Sequence, residues 1–274
     1  MKDLLVYVPP VRHHPRLIEY AASLAASMDA HLDGATFTIL PQVAGHFASL
    51  PDNFYRTARE NSELEAANAG KRFLEYARNA GVGHAVRNFE SFANDAEDLF
   101  ACTAQAYDLA IVPQTDREDT TLFNPQFDSI MLMTGRPTLF VPTIHRGRAS
   151  LERVLVCWNG DRFAARAVGD GMPLLKRAKT VDVLQIGPLD TGIPRCEAAE
   201  LVRHLQRHGV SAKQHTFARD NPDVGAAILS FAADCGSNLI MMGGYGHSRA
   251  REMLFGGVTR ELLESMTVPV LMSH

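Results

Sequence analysis

The chain has no apolar stretch approaching the ~20 residues that span a bilayer. It has no CxxC pair among its four cysteines, Cys102, Cys157, Cys196 and Cys235, and no basic surplus, since 27 Lys and Arg face 31 Asp and Glu for a net charge of -4. The first absence excludes a membrane-spanning protein, and the scattered cysteines fit a reducing compartment. The third argues against neutralising a phosphate backbone, hence against nucleic acid as a partner. The apolar run at residues 4–8 ends at Pro9-Pro10 and is too short for a signal-peptide core, so it reads as a first strand and the cytoplasm is the expected location. GxSxG, P-loop lysine, HExxH and GxGxxG signatures are missing too, which leaves no dedicated catalytic apparatus.

What is present is a globular composition, 46% hydrophobic, over 274 residues, enough for two domains. From residue 154 apolar strand-like runs alternate with helix-period segments: strands at 154–158, 181–186, 212–217, 239–242 and 268–272, helices up to 178, at 197–207, at 224–235, and along Val258, Leu262, Leu263 and Met266. Pro269 suits an edge strand. The first half repeats the plan with strands at 4–8 and 32–40, helices at 15–28 and 61–76, and later strands at 107–113 and 137–141. The expectation is an α/β protein of two tandem doubly wound domains, each a five-stranded parallel sheet with helices on both faces, spanning 1–148 and 149–274.

Two glycine turns follow the fourth strand of the second half. Gly243-Gly244-Tyr245-Gly246-His247 comes directly after Met242, and Gly256-Gly257-Val258-Thr259 opens the last helix. Glycine admits close backbone approach, and the first N–H groups of a helix favour an anion, so the two turns can close around a di- or triphosphate with backbone donors alone. His247, between them, would meet phosphate or solvent.

This segment resembles the nucleotide motif of universal stress proteins, GxxG, nine residues, then Gly followed by Ser or Thr, with Gly243, Gly246 and Gly256 in place. The resemblance implies an adenine nucleotide, ATP or a relative with magnesium, at the carboxyl ends of the first and fourth strands of the second domain. It also implies pairing of the domains through 139–141 and 270–272 as a pseudo-dimer within one chain, a further homodimer being open, and action on a protein partner that the sequence does not identify. Ile186 matches the apolar position that lies against adenine, and Asn159 stands where the pattern has an aspartate on the nucleoside. Gly257 replaces the Ser or Thr, with Thr259 two residues on. The family contains binders and non-binders, so an interaction module with an empty site is the alternative.

In the first half Pro113-Gln114-Thr115-Asp116 and Asn124-Pro125 replace the glycine turns, and Asp116, Glu118 and Asp119 add charge that repels phosphate. That half reads as structural or partner-facing. Asp161 reads either as a stand-in for the missing aspartate or as a solvated turn residue. His204, His208 and His215 have a spacing open to a metal, which the cationic last turn of a helix explains equally well.

Overall fold

The computed structural model describes residues 1–10, 16–41, 52–115, 127–187, 195–218, 223–244 and 257–274. The chain divides into two compact units, Met1–Thr134 and Gly135–His274. The first holds β1 (Asp3–Tyr7), α1 (Leu17–Met28), β2 (His31–Leu40), α2 (Asp52–Asn79), β3 (His84–Phe92), α3 (Ala96–Ala104), β4 (Leu109–Pro113) and α4 (Ile130–Thr134). Its strands lie in the order β3-β2-β1-β4, with β1 parallel to both β2 and β4 and β2 parallel to β3.

The second unit holds β5 (Thr138–Val141), β6 (Arg153–Cys157), α5 (Arg162–Leu175), β7 (Thr180–Ile186), α6 (Ala198–Arg207), β8 (Ala212–Phe217), α7 (Val224–Cys235), β9 (Leu239–Gly243), α8 (Val258–Ser265) and β10 (Val270–Ser273). The strand order is β5-β10-β9-β6-β7-β8, parallel from β10 to β8. β5 runs antiparallel to β10, with Phe140 opposite Val270 and Leu139 opposite Leu271.

Strands covered on both faces read as unbroken apolar runs. Leu4, Leu5 and Val6 of β1, Leu109 to Val112 of β4, Val154 and Leu155 of β6 and Ile240 and Met241 of β9 are all fully buried. Each helix joining parallel strands returns along the sheet, so its N-terminus lies at the carboxyl ends of the strands. In both units the order turns back between the first and fourth strands, where open α/β sheets take ligands.

The same lock fastens those two strands in each unit. Asp108, ahead of β4, accepts the backbone N–H groups of Lys2 at 2.6 Å and Asp3 at 3.2 Å, while its own N–H donates to the Asp3 carbonyl at 2.8 Å. Asn238, ahead of β9, accepts the Arg153 N–H at 3.0 Å and donates to the Arg153 carbonyl at 2.8 Å. This repetition is independent of the strand pattern and supports a tandem duplication.

Two sequence expectations change. The helix expected at 61–76 extends over Asp52–Asn79, because good helix formers continue on both sides of the apolar stretch and Gly81 stops it. Pro269 does not mark an edge: β10 starts one residue later and lies between β5 and β9, and the proline, which has no N–H, contributes its carbonyl to the Ile240 N–H at 2.9 Å. No helix among the described residues is long and apolar enough to cross a membrane.

Candidate functional site

At the carboxyl end of β6 the chain makes a tightly held turn. Trp158 is buried and donates its indole N–H to the Cys196 carbonyl at 2.7 Å, drawing the residues before α6 under the turn. Gly160 follows at φ +69°, and a Cβ there would stand 2.6 Å from the same carbonyl, so only glycine fits. Asp161 caps α5, one carboxylate oxygen accepting the Phe163 N–H at 3.0 Å and the Ala164 N–H at 2.8 Å.

Asn159 is exposed, yet its side chain is turned back on the turn. Its amide donates to Asp161 Oδ2 at 2.9 Å and its oxygen accepts the Asp161 N–H at 3.1 Å. Asp161 is therefore not a solvated turn residue. It is a helix cap with only 13% of its side chain exposed.

The apolar floor comes from neighbouring strands. Cys157 is opposite Leu184, and the β7 register carries Ile186, half-buried, on the same face two residues on. Met242, 7% exposed, ends the buried run of β9 beside them. Burial pushes the Cys157 thiol up to about 12, so it is an apolar filler rather than a nucleophile at neutral pH.

Gly243 is explained by packing. A Cβ there would lie 2.6 Å from the Ala164 nitrogen, so the end of β9 is pressed against the first turn of α5. Gly244 then donates to the Ser273 carbonyl at 2.9 Å, and His274 stacks on Phe163 with ring centroids 4.7 Å apart and Nδ1 3.2 Å from the Gly244 oxygen. Asn159, Asp161, Gly243 and α5 thus meet in one place. Gly246, His247 and Gly256 lie outside the described residues.

α8 opens at Gly257, an extended N-cap residue with no side chain to cap the helix, followed by half-buried Val258 and by Thr259, which is 6% exposed. Of the three other helices opening at this end of the strands, α5 and α7 are capped by Asp161 and by Asp223, which accepts the Ala226 N–H at 2.8 Å, while α6 has no cap bond from its own Glu197 and its Ala198 N–H donates to Gln185 Oε1 at 2.9 Å. The Ala226 N–H, and then a hydrogen bond with Glu261, hold Asp223 below the usual carboxylate range; the same bond raises Glu261 of α8 above it.

The first unit fills the equivalent space with rings. Tyr7, which ends β1 as Cys157 ends β6, stacks on Phe37 at 5.6 Å and meets Phe127 edge-on at 4.8 Å and Phe100 at 6.0 Å. Phe37 pairs with Phe89 of β3 as Ile186 pairs with Phe217 of β8, so Phe37 is the counterpart of Ile186. Phe127 opens the short turn that leads into α4 and packs its ring on Tyr7. Tyr7, Phe37 and Phe127 are all buried, leaving no open floor there.

Sequence reasoning missed Arg195. It lies far from the glycine turns in the chain, yet its Nη1 donates to the Asn159 carbonyl at 3.0 Å and stands 3.9 Å from Asp161 Oδ2. No spacing rule connects residues on different loops, so no sequence signal marked it. The rings of His204 and His208 lie 4.6 Å apart on α6, tilted by 59°, whereas His215 is bound to Asp182 at 2.8 Å on the sheet. The three histidines do not converge on a metal site.

Several comparisons place the chain. A family model described as the universal stress protein family matches residues 150–274. A universal stress protein from Archaeoglobus fulgidus DSM 4304 is 16% identical with a TM-score of 0.70, covering 98% of this chain and 97% of that one. A functionally unknown protein from Pseudomonas aeruginosa PAO1 is 14% identical with a TM-score of 0.58, covering 100% and 92%. A universal stress protein in complex with cAMP is 16% identical over 46% of this chain and 99% of its own, with a TM-score of 0.36. The first two likenesses extend the fold over both units. No curated protein matches the chain.

Proposed function

We propose, from the membership of residues 150–274 in the universal stress protein family, that the second unit binds an adenine nucleotide and that the chain acts as a nucleotide-responsive regulatory module for a protein partner. The base would rest on Ile186 and Met242 at the ends of β7 and β9, and the phosphates would lie at the glycine turns before α8. The residues fit such a ligand: the floor is apolar, and the donors at the helix start are backbone N–H groups, which suit phosphate oxygens. ATP bound there would bring its own magnesium, and the chain would supply position rather than chemistry.

The observation that carries this reading is the cap pattern. α5 and α7 are closed by their own aspartates and the first N–H of α6 is met by Gln185, whereas α8, whose start bears the motif, opens on a glycine with no side chain to cap it. Gly257→Asp tests it, because an aspartate at that extended position would cap α8 and occupy its first N–H groups. In the wild-type protein, ATP with magnesium at 100 times its Kd raises stability by about 2.7 kcal/mol. In Gly257→Asp the basal melting temperature is kept or raised and the shift with ATP disappears.

One observation favours the second reading, an interaction module without nucleotide: the Asn159 side chain is bonded to Asp161 instead of facing outward. Wild-type protein that shows no shift with ATP, ADP or AMP decides for that module.

A further inference from the structure

The turn after β6 carries a charge pattern that bears on which nucleotide the site takes, if the reading above holds. Arg195 reaches the turn from the residues before α6, with 14% of its side chain exposed, and holds the Asn159 carbonyl at 3.0 Å. The Asp161 carboxylate beside it is directed inward, onto two backbone N–H groups of α5 and the Asn159 amide. With an amide at 159, the turn carries the carboxylate of Asp161 against the guanidinium groups of Arg162 and Arg195, and the N-terminus of α5 adds partial positive charge. A carboxylate at 159 would offset that positive balance.

That difference matters for the ribose. In dinucleotide sites a carboxylate accepts from ribose hydroxyls and repels a phosphate on the ring, whereas a nearby arginine accommodates one. A guanidinium is a planar fork that matches phosphate oxygens, and it keeps its charge at every working pH. The structure brings the amide and the arginine to one turn, at the strand end where the nucleoside would lie.

We propose that this turn selects an adenine nucleotide phosphorylated on its ribose, at the 2′ or the 3′ oxygen, with Arg195 pairing the ribose phosphate and Asn159 removing the charge that would repel it. Arg195 is then a specificity residue of the second unit, and the physiological ligand belongs to the class of adenosine bisphosphates or of cofactors that contain them.

The test measures Kd by calorimetry on the full chain for AMP, adenosine 2′,5′-bisphosphate and adenosine 3′,5′-bisphosphate, ligands that differ in the ribose phosphate alone. The expected result is one bisphosphate binding about tenfold or more tightly than AMP, the preferred isomer identifying the ribose oxygen. Asn159→Asp reverses the preference and Arg195→Met abolishes it, while Arg195→Lys keeps part of it because a point charge remains. The readout is the ratio of two Kd values on the same protein, which a merely structural loss at the turn would leave unchanged. Equal binding of all three ligands overturns the selectivity while the nucleotide site stands. Failure of these three and of ATP overturns both the selectivity and the site. Should Arg195→Met not fold, Asn159→Asp alone decides, since its preference must invert.

Discussion

The two units share a strand order and the lock between first and fourth strands, and they part company at the carboxyl ends of those strands. The second has Cys157 and Ile186 at the ends of β6 and β7 and opens α8 on Gly257, whereas the first has Tyr7 and Phe37 at the corresponding positions of β1 and β2 and packs Phe127 on Tyr7. The lesson is that a duplicated sheet tolerates a change of side chains at its strand ends without a change of frame. Rings packed together at the strand ends of the first unit bury area that the aliphatic and thiol side chains of the second do not.

The contrast can be broken most severely at β5. Phe140 is fully buried opposite Val270, so Phe140→Lys places a charge in the sheet and is expected to cost at least about 4 kcal/mol. Chemical denaturation should show the loss in the fluorescence of Trp158, the single tryptophan, which reports the second unit. An unchanged midpoint would remove β5 from the account of that unit's stability.

Phe127→Ala withdraws a ring packed on Tyr7 and should cost the first unit about 3 kcal/mol, read by calorimetry. The converse change sharpens the comparison: Gly257→Phe puts a ring at the start of α8, and it should abolish the ~2.7 kcal/mol of stabilisation by ATP at 100 times its Kd. Retention of the ATP shift in Gly257→Phe would show that the nucleotide does not lie at the start of α8.

The helix starts differ more gently. α5 is capped by Asp161, and its counterpart α1 begins at Arg16 with no side-chain cap. Asp161→Ala is expected to cost about 1 kcal/mol in thermal melting, and Arg16→Ala less than about 0.5 kcal/mol.

The smallest effect is alkaline. Tyr7, Tyr20 and Tyr107 all lie in the first unit and all have raised phenol values, chiefly through burial, Tyr107 reaching about 12 with further help from its hydrogen bond to Asp33 at 2.6 Å. A raised value means that folding favours the neutral phenol. The contribution is complete below the unfolded value of about 10 and is lost as pH climbs towards about 12. In the second unit the raised Cys157 thiol acts in the same sense from a lower starting point, about pH 8.5, up to about 12. Tyr107→Phe should flatten the pH dependence of the first unit above pH 10 without altering that of the second, and Cys157→Ala should do the reverse.

Much of the frame could be read from the residues. β1, β4, β6 and β9 announce themselves because strands buried on both faces need unbroken apolar runs. β3, an edge strand in which only Ser91 is buried, scatters Ala85, Val86, Phe89 and Phe92 among polar neighbours and has no such signal. α2 exceeds its apolar stretch because exposed turns of a helix need propensity, not hydrophobicity. At the site, Gly243 and Gly257 stand out as glycines, but the sequence gives them one meaning where the structure gives two. Gly243 admits the first turn of α5, and Gly257 leaves α8 uncapped.

By itself, then, the sequence determines the succession of strands and helices, the parallel sheet that this succession implies, and a glycine-rich segment after β9. These follow from periodicity and turn chemistry, which act over a few residues. Only the tertiary structure decides that Arg195 holds the Asn159 carbonyl, that Phe127 closes on Tyr7, and that β10 lies inside a sheet next to β5. Each is a meeting of residues far apart in the chain, and which of them meet is set by how whole elements pack, a property that no local pattern encodes.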